Sequence, residues 1–334
     1  MIQMKLTAKR EMAKENIATP TLTAGSAILK VAAVGICGSD MHVYVGENPV
    51  IKPENHVCGH EFGGTIKEVP AGTSHLRVGD KVCVNPVVNC GVCHYCQHGM
   101  EHMCVKQNVI GGDIDGALKE EISVPLANIV KLPADFDLTY SAMIEPVAVA
   151  IHSSKHVRQS NVLVVGLGTI GLLTVQVCKL NGNRVIATDI NEENFKLARE
   201  LGADATFISK AEDPAGLASR FFENGRLDYV IDNVNIESTV NYAITAVRKM
   251  GEIVLVGIPH ANFKVDIIGV LLNELVVSSS YLYSDEDFRH AASLVATGKI
   301  DVKSLVSKKF KLRDAKEAFE YKLNTKSIKV LIEM

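Results

Sequence analysis

The sequence predicts an α/β protein of two domains, one built on antiparallel strands and one on a doubly wound parallel sheet. Three observations lead there. From about residue 25 to 150, Val, Ile and Thr fall in short runs separated by Gly, Pro, Asn and Asp, whereas from Asn161 continuous apolar strands alternate with longer helical periods. After Tyr283 the order changes again, to helix, strand, helix, strand. The length of 334 residues suits two domains of about 100 to 200 residues each.

In the first region Ile28 to Val34, Gly63 to Val69 and Asp80 to Val84 read as strands bounded by turn residues, an antiparallel signature. Val162 to Val165 then begins the alternation as a strand, with a helix running to about Leu180. Arg184 to Thr188 is the next strand and Asn191 to Leu201 the next helix; strands Asp228 to Ile231 and Ile253 to Val256 enclose a helix at Ser238 to Arg248. Strands without a polar face need cover on both sides, which implies a parallel sheet between helices. Asp285 to Ala296 and Leu312 to Tyr321 are amphipathic and Ser327 to Ile332 extended. These last segments are too few for a core of their own, so they are expected to rejoin the first domain and make the second an insertion.

Composition narrows the function classes. Lys and Arg total 35 against 38 Asp and Glu, a net charge of -3 with no block of one sign, so neither nucleic acid nor a membrane surface is an expected partner. Lys5, Lys9 and Arg10 are not followed by an apolar core, so no secretory signal is read and a cytoplasmic location is expected. The uncharged run of 20 residues from Gln159 to Cys178 is long enough for a membrane span, but Gly166, Gly168, Gly171, Thr169, Thr174 and Gln176 divide it. It reads as strand, glycine turn and helix.

Cys90, Cys93, Cys96 and Cys104 stand as C-x2-C-x2-C-x7-C, a spacing that lets tight turns aim four thiolates at one tetrahedral zinc. A reducing compartment disfavours disulfides. An iron-sulfur cluster is the alternative, but the ferredoxin run continues with x3-C-P, whereas here seven residues intervene and Val105 follows. Four ligands leave no open position, so this metal would fold a lobe without doing chemistry.

A second set is spread along the chain. Gly35-Ile-Cys-Gly-Ser-Asp-Met-His42 places Cys37 in a turn after an apolar strand, Gly59-His-Glu-Phe-Gly-Gly64 sets two ligand types side by side, and Met143-Ile-Glu-Pro-Val147 offers Glu145. Each alone suits a core or surface residue as well as a ligand. Further on, Gly166-Leu-Gly-Thr-Ile-Gly171 lies between a strand and a helix, the context a G-x-G-x-x-G dinucleotide fingerprint requires. Its first glycine makes the turn, its second admits pyrophosphate and its third lets helix and strand pack. Asp189 ends the next strand, 18 residues after Gly171, where a carboxylate would accept both ribose hydroxyls and repel a 2'-phosphate, favouring NAD. Capping the following helix is its structural alternative.

With these segments in this order the sequence resembles the zinc-dependent medium-chain dehydrogenase/reductase family, in its polyol (sorbitol), threonine and sugar-acid branch, over nearly its whole length. The resemblance implies a GroES-like β-barrel-type catalytic domain (1–148 and 283–334) carrying a zinc lobe at about 88–106, and a Rossmann coenzyme domain (149–282). It implies that Cys37, His60 and Glu61 bind a catalytic zinc, that Glu145 is a fourth ligand or joined through water, and that Ser39 and His42 carry the proton out. Glu61 directly after His60 points to the polyol branch, because alcohol dehydrogenases of the classical type use a Cys at the third ligand position. Gly166, Gly168, Thr169, Ile170, Gly171 and Asp189 would bind NAD. Val256, Gly257, Ile258, Ser280 and Tyr281 would lie near the nicotinamide by similarity to the threonine-type branch. Asn194 stands where many relatives have a basic residue facing the adenosine.

The implied activity is oxidation of a secondary alcohol of a polyol, sugar acid or related hydroxy compound to a ketone, through a zinc-bound alkoxide that gives hydride to NAD. The implied assembly is a homodimer or homotetramer. A phosphorylated-polyol or threonine-type dehydrogenase is the nearest alternative; a non-catalytic NAD-binding regulator is another. A zinc-ribbon nucleic-acid module is opposed by the acidic balance and the absence of Trp. Tyr44, Glu101, Phe288 and Arg289 are candidates for contacting substrate.

Overall fold

The structure, a computed structural model, describes residues 1–48, 50–209, 214–222, 225–259 and 261–334. It divides into two compact units, Met1–Glu145 with Ser284–Met334, and Pro146–Tyr283. In chain order the first unit contains β1 (Ile2–Ala8), β2 (Glu11–Asn16), β3 (Ser26–Gly35), α1 (Gly38–Tyr44), β4 (Glu61–Glu68) and β5 (Lys81–Val84). It continues with β6 (Val87–Val88), α2 (His94–Gln97), β7 (Asn108–Val109), β8 (Glu121–Pro125) and β9 (Ile129–Lys131). Helix α3 (Ile144–Ser154) leads into the second unit, which runs β10 (Asn161–Val165), α4 (Thr169–Leu180), β11 (Arg184–Asp189), α5 (Phe195–Glu200), β12 (Ala205–Ile208) and α6 (Pro214–Phe221). It ends with β13 (Tyr229–Asp232), α7 (Glu237–Ala246), β14 (Glu252–Leu255), α8 (Ile267–Leu272) and β15 (Val276–Ser279). The chain returns to the first unit with α9 (Asp285–Ala296), β16 (Val306–Lys311), α10 (Ala315–Asn324) and β17 (Lys329–Glu333).

In the first unit the main sheet has the order β16-β17-β3-β4-β5-β9, with β8 also on β3. Its pairings are antiparallel except β16 with β17. The register sets Gly35 against Glu61 on one side and Leu331 on the other. The end of β3 is therefore flanked by β4 and β17. Leu29, Val31 and Val34 of β3, Phe62 and Ile66 of β4 and Phe319 of α10 share one buried core.

The second unit is a parallel six-stranded sheet in the order β12-β11-β10-β13-β14-β15. Val162, Leu163 and Val164 of β10 are all 0% exposed, as a strand covered on both faces must be. The strand order reverses between β10 and β13, the place where such sheets leave a crevice beyond their carboxyl ends. The uncharged run Gln159 to Cys178 is β10, a glycine turn and most of α4. Among the described residues no helix is long and apolar enough to cross a membrane.

The expected α/β architecture is the one observed, with differences at element ends. The helix expected from Asn191 begins only at Phe195. Before it, Asp189 accepts from the Ile190 and Asn191 amides, Asn191 accepts from the Glu193 amide and Asn194 reaches back to the Leu167 carbonyl. Short polar side chains competing for backbone groups delay helix entry. Leu312–Asp314 is a 3-10 turn ahead of α10, and the last strand starts at Lys329.

Candidate active site

Strand β3 brings the chain to Gly35, opposite Glu61. A Cβ here would lie 2.0 Å from Glu61 Oε2, so glycine leaves room for the carboxylate where it stands. Two residues on, Cys37 caps α1, and its backbone amide donates to Asp40 Oδ2 at 2.8 Å. The other Asp40 oxygen, Oδ1, lies 3.5 Å from His60 Nδ1. A carboxylate on Nδ1 fixes the ring so that Nε2 is presented to an ion. The donor atoms of Cys37, His60 and Glu61 all lie within 4.8 Å of one another. This cluster is one imidazole, one cysteine sulfur and one carboxylate in a partly buried corner, a donor set suited to zinc with a position left open.

Two lysines that sequence reasoning missed stand behind it. Lys329 Nζ donates to Glu61 Oε1 at 2.7 Å and to Oε2 at 2.6 Å, with side-chain exposures of 2% and 1%. Burial lowers the Lys329 pKa, but Glu61, Cys37 and Glu145 outweigh it and raise it. Lys322 on α10 is pushed down to about 8 by burial first and by Lys329 second. Burial would also lower His60, yet Asp40 and Cys37 raise it well above an ordinary imidazole. Glu145 is buried at the start of α3. Cys37 and Glu61 act electrostatically on both lysines, Asp40 on Lys322 and Glu145 on Lys329, so the corner gathers acidic groups around two ammonium groups.

Asp40 was also missed as a functional residue, although it lies inside the quoted segment; its i−3 relation to Cys37 and its place in the capping turn were the available signal. Lys329 left only a weak one, a lone charge in an extended apolar segment. Ser39 and His42 share a face of α1 at i and i+3, both half-buried, with His42 Nδ1 3.9 Å from Glu47. Of the substrate-contact candidates, Tyr44 and Phe288 are core residues at 0% and 1% exposure. The Tyr44 hydroxyl donates to Glu320 at 2.7 Å.

In the cysteine lobe the Cys93 and Cys96 sulfurs are 3.5 Å apart and those of Cys90 and Cys96 4.0 Å apart. Tetrahedral Zn-S bonds of about 2.3 Å put sulfurs about 3.8 Å apart, so the four fit zinc. Cys104 Sγ accepts from the Cys90 and Lys106 amides, and backbone amides hold the Cys93 thiol down to about 6.

The three loop glycines do three different jobs. Gly166 has φ +84, and a Cβ on Gly171 would sit 1.7 Å from the Gly166 carbonyl, whereas a Cβ on Gly168 would meet nothing within 4 Å. The first turns, the third packs and the second borders open space. Thr169 and Ile170 begin α4. Asp189 Oδ2 accepts from the Leu167 amide at 2.7 Å and Asn194 donates to the Leu167 carbonyl at 2.9 Å. Both residues therefore grip the loop, and Asp189 also supports the turn after β11. Val256 follows β14, Gly257 packs on the Val234 backbone, and Ile258 is 68% exposed. Ser280 follows β15 with a buried hydroxyl, beside the half-exposed Tyr281.

A metal-binding unit plus a dinucleotide-type parallel unit defines the two-part architecture of an alcohol-carbonyl dehydrogenase. The alcohol dehydrogenase GroES-like domain model matches residues 23–134 and the zinc-binding dehydrogenase model residues 169–297. D-arabitol-phosphate dehydrogenase of Enterococcus avium is 31% identical, with 97% of this chain and 94% of that protein covered. D-xylulose reductase A of Aspergillus niger is 33% identical over 91% and 88%. The crystal structure of the Escherichia coli rspB alcohol dehydrogenase complexed with NADH superposes with a TM-score of 0.91 at 32% identity, covering 100% of this chain and 99% of that one. The chain belongs to the zinc-dependent medium-chain dehydrogenase family, in its polyol and sugar-acid branch. It is a dehydrogenase, and its general reaction interconverts an alcohol and a carbonyl compound.

Proposed function

We propose that the enzyme oxidises a secondary alcohol of a polyol or sugar acid to the ketone and reduces NAD, with a catalytic zinc held by Cys37, His60 and Glu61. Glu145 stands as a fourth ligand or a water-bridged neighbour, and Cys90, Cys93, Cys96 and Cys104 hold a structural zinc. The observation that carries this reading is the convergence of the Cys37, His60 and Glu61 donor atoms within 4.8 Å on a ring already oriented by Asp40. Bound zinc supplies Lewis acidity, which takes the pKa of bound water from about 15.7 to about 7 and would acidify an alcohol similarly. The protein does the rest. Asp40 keeps His60 in position, and Ser39 with His42 on one face of α1 relays the released proton to solvent.

In the coenzyme unit, the backbone amides at the start of α4 receive the pyrophosphate over Gly168. Asp189 faces the ribose while holding Leu167, and its charge selects NAD over NADP. Asn194 contributes by fixing the loop. Val256, Gly257, Ile258, Ser280 and Tyr281 border the nicotinamide end. The domains expected at 1–148 with 283–334 and at 149–282, observed as Met1–Glu145 with Ser284–Met334 and Pro146–Tyr283, are then the catalytic and coenzyme domains.

A second copy of the chain completes the molecule in this reading. Ile267, Ile268, Leu271 and Leu272 of α8 are 66%, 70%, 72% and 71% exposed, beside the edge strand β15. An apolar helix next to an unpaired strand suits a symmetric dimer interface. A reducing compartment, the cytoplasm, keeps the lobe thiolates available for metal.

The test is NADH formation at 340 nm on a panel of free and phosphorylated polyols and sugar acids, with zinc counted per chain and NADP run in parallel. Two zincs per chain, and turnover with NAD that chelation abolishes and zinc restores, are expected. Turnover that survives removal of all metal would overturn the reading.

A further inference from the structure

Lys329 and Glu61 are 268 residues apart in sequence, yet both ammonium-carboxylate contacts are short and almost wholly buried. A buried ion pair contributes little to stability compared with apolar residues of similar size, so its presence calls for another reason. A carboxylate offers about four acceptor sites, and Lys329 uses one on each oxygen. One on each oxygen is left, and a Glu61 oxygen lies within 4.8 Å of the Cys37 and His60 donor atoms. The carboxylate is therefore shared between an ammonium and the place where an ion would sit. We propose, on the metal reading above, that Lys329 is a positioning residue that makes Glu61 a shared and weakened ligand, keeping the catalytic ion exchangeable and strongly Lewis acidic. Lys322, whose ammonium donates to the Ile328 carbonyl next to Lys329 in the chain, adds a second positive charge.

Sharing has a consequence opposite in sign to that of ordinary ligand support. Losing a group that merely supports a ligand typically costs about 10- to 100-fold in metal affinity. Removing an ammonium that competes with the ion should instead tighten binding, by roughly tenfold or more given the strength of close like-charge repulsion in a buried site. The experiment compares wild type and Lys329→Met as zinc-loaded and zinc-free proteins, reading zinc affinity by chelator competition, Tm in both states, and the visible spectrum after cobalt substitution. Lys329→Met is expected to hold the second zinc at least about tenfold tighter, to show a larger zinc-induced rise in Tm and an altered cobalt spectrum, and to turn over more slowly. Unchanged or weaker zinc binding, with the same Tm loss in both states, would assign Lys329 a packing role and overturn the proposal. If Lys329→Met does not fold, the polar neutral variant Lys329→Gln reads the same sharing: zinc held at least about tenfold tighter with a changed cobalt spectrum supports it, and unchanged or weaker zinc binding overturns it. Wild type carrying only the lobe zinc would overturn the metal reading itself; two zincs with an indifferent Lys329→Met would overturn the sharing alone.

Discussion

Asp40 is the residue on which the geometry of the metal corner turns, because it binds the Cys37 amide with one oxygen and faces His60 with the other. Changing it to Asn leaves the shape but removes the charge behind the imidazole. Asp40→Asn is expected to weaken the catalytic zinc about 10- to 100-fold while the lobe zinc stays, which chelator competition resolves as two separate phases. A second residue-scale prediction concerns Glu320, held down to about 2 by the Arg10 and Tyr44 hydrogen bonds. A carboxylate depressed on folding stabilises the protein above its ordinary value of 4.5 and loses that contribution as pH falls through the folded one. The Tm gap between wild type and Glu320→Gln should be full above about pH 5 and close towards pH 2. It should also be modest, since Arg10 is half exposed and solvent screens the pair. A gap that widens on acidification would contradict the assignment. For the relay, His42→Ala should depress turnover more at low than at high pH, because hydroxide takes the proton directly only when it is abundant; a uniform loss across pH would remove His42 from the relay.

Elements differ in how much of them could be read in advance. Helix α9 has the expected bounds, since Ser284 and Asp287 form a capping box in front of an amphipathic run. The start of α5 was misjudged because Asp189, Asn191 and Asn194 take local and loop hydrogen bonds that periodicity does not reveal. The cysteine lobe was legible from spacing alone, and its four-residue helix α2 buries none of its residues. Such a lobe depends on its ion, so Cys96→Ser should open residues 88–106 to limited proteolysis; resistance equal to wild type would show that the lobe holds itself together. Two sheet edges also contrast. Strand β16 carries Lys308, Lys309 and Lys311, charges that discourage edge pairing, whereas β15 presents Val276 and Val277 at 53% and 44% exposure. Leu271→Glu should therefore shift the protein to monomer in light scattering; an unchanged mass would place any interface elsewhere.

For the molecule as a whole, local signals in the sequence were enough to expect both sheets, because strand periodicity, glycine turns and the ligand-bearing segments are each contained in a few consecutive residues. What they did not reveal is the contact that links the ends of the chain. Lys329 meets Glu61 only because β17 returns beside β3, and register between distant strands leaves no mark in either segment. The Pro146–Tyr283 unit has its own buried cluster around Leu163, Ile186, Val230 and Ile253, which is the requirement for folding alone. The most direct test of the metal centre is a zinc-edge anomalous difference map from crystals of the purified enzyme. Two peaks per chain are expected, one among Cys90, Cys93, Cys96 and Cys104 and one bounded by Cys37, His60 and Glu61. A single peak at the cysteine lobe, with the second site clear of metal at full zinc loading, would contradict it.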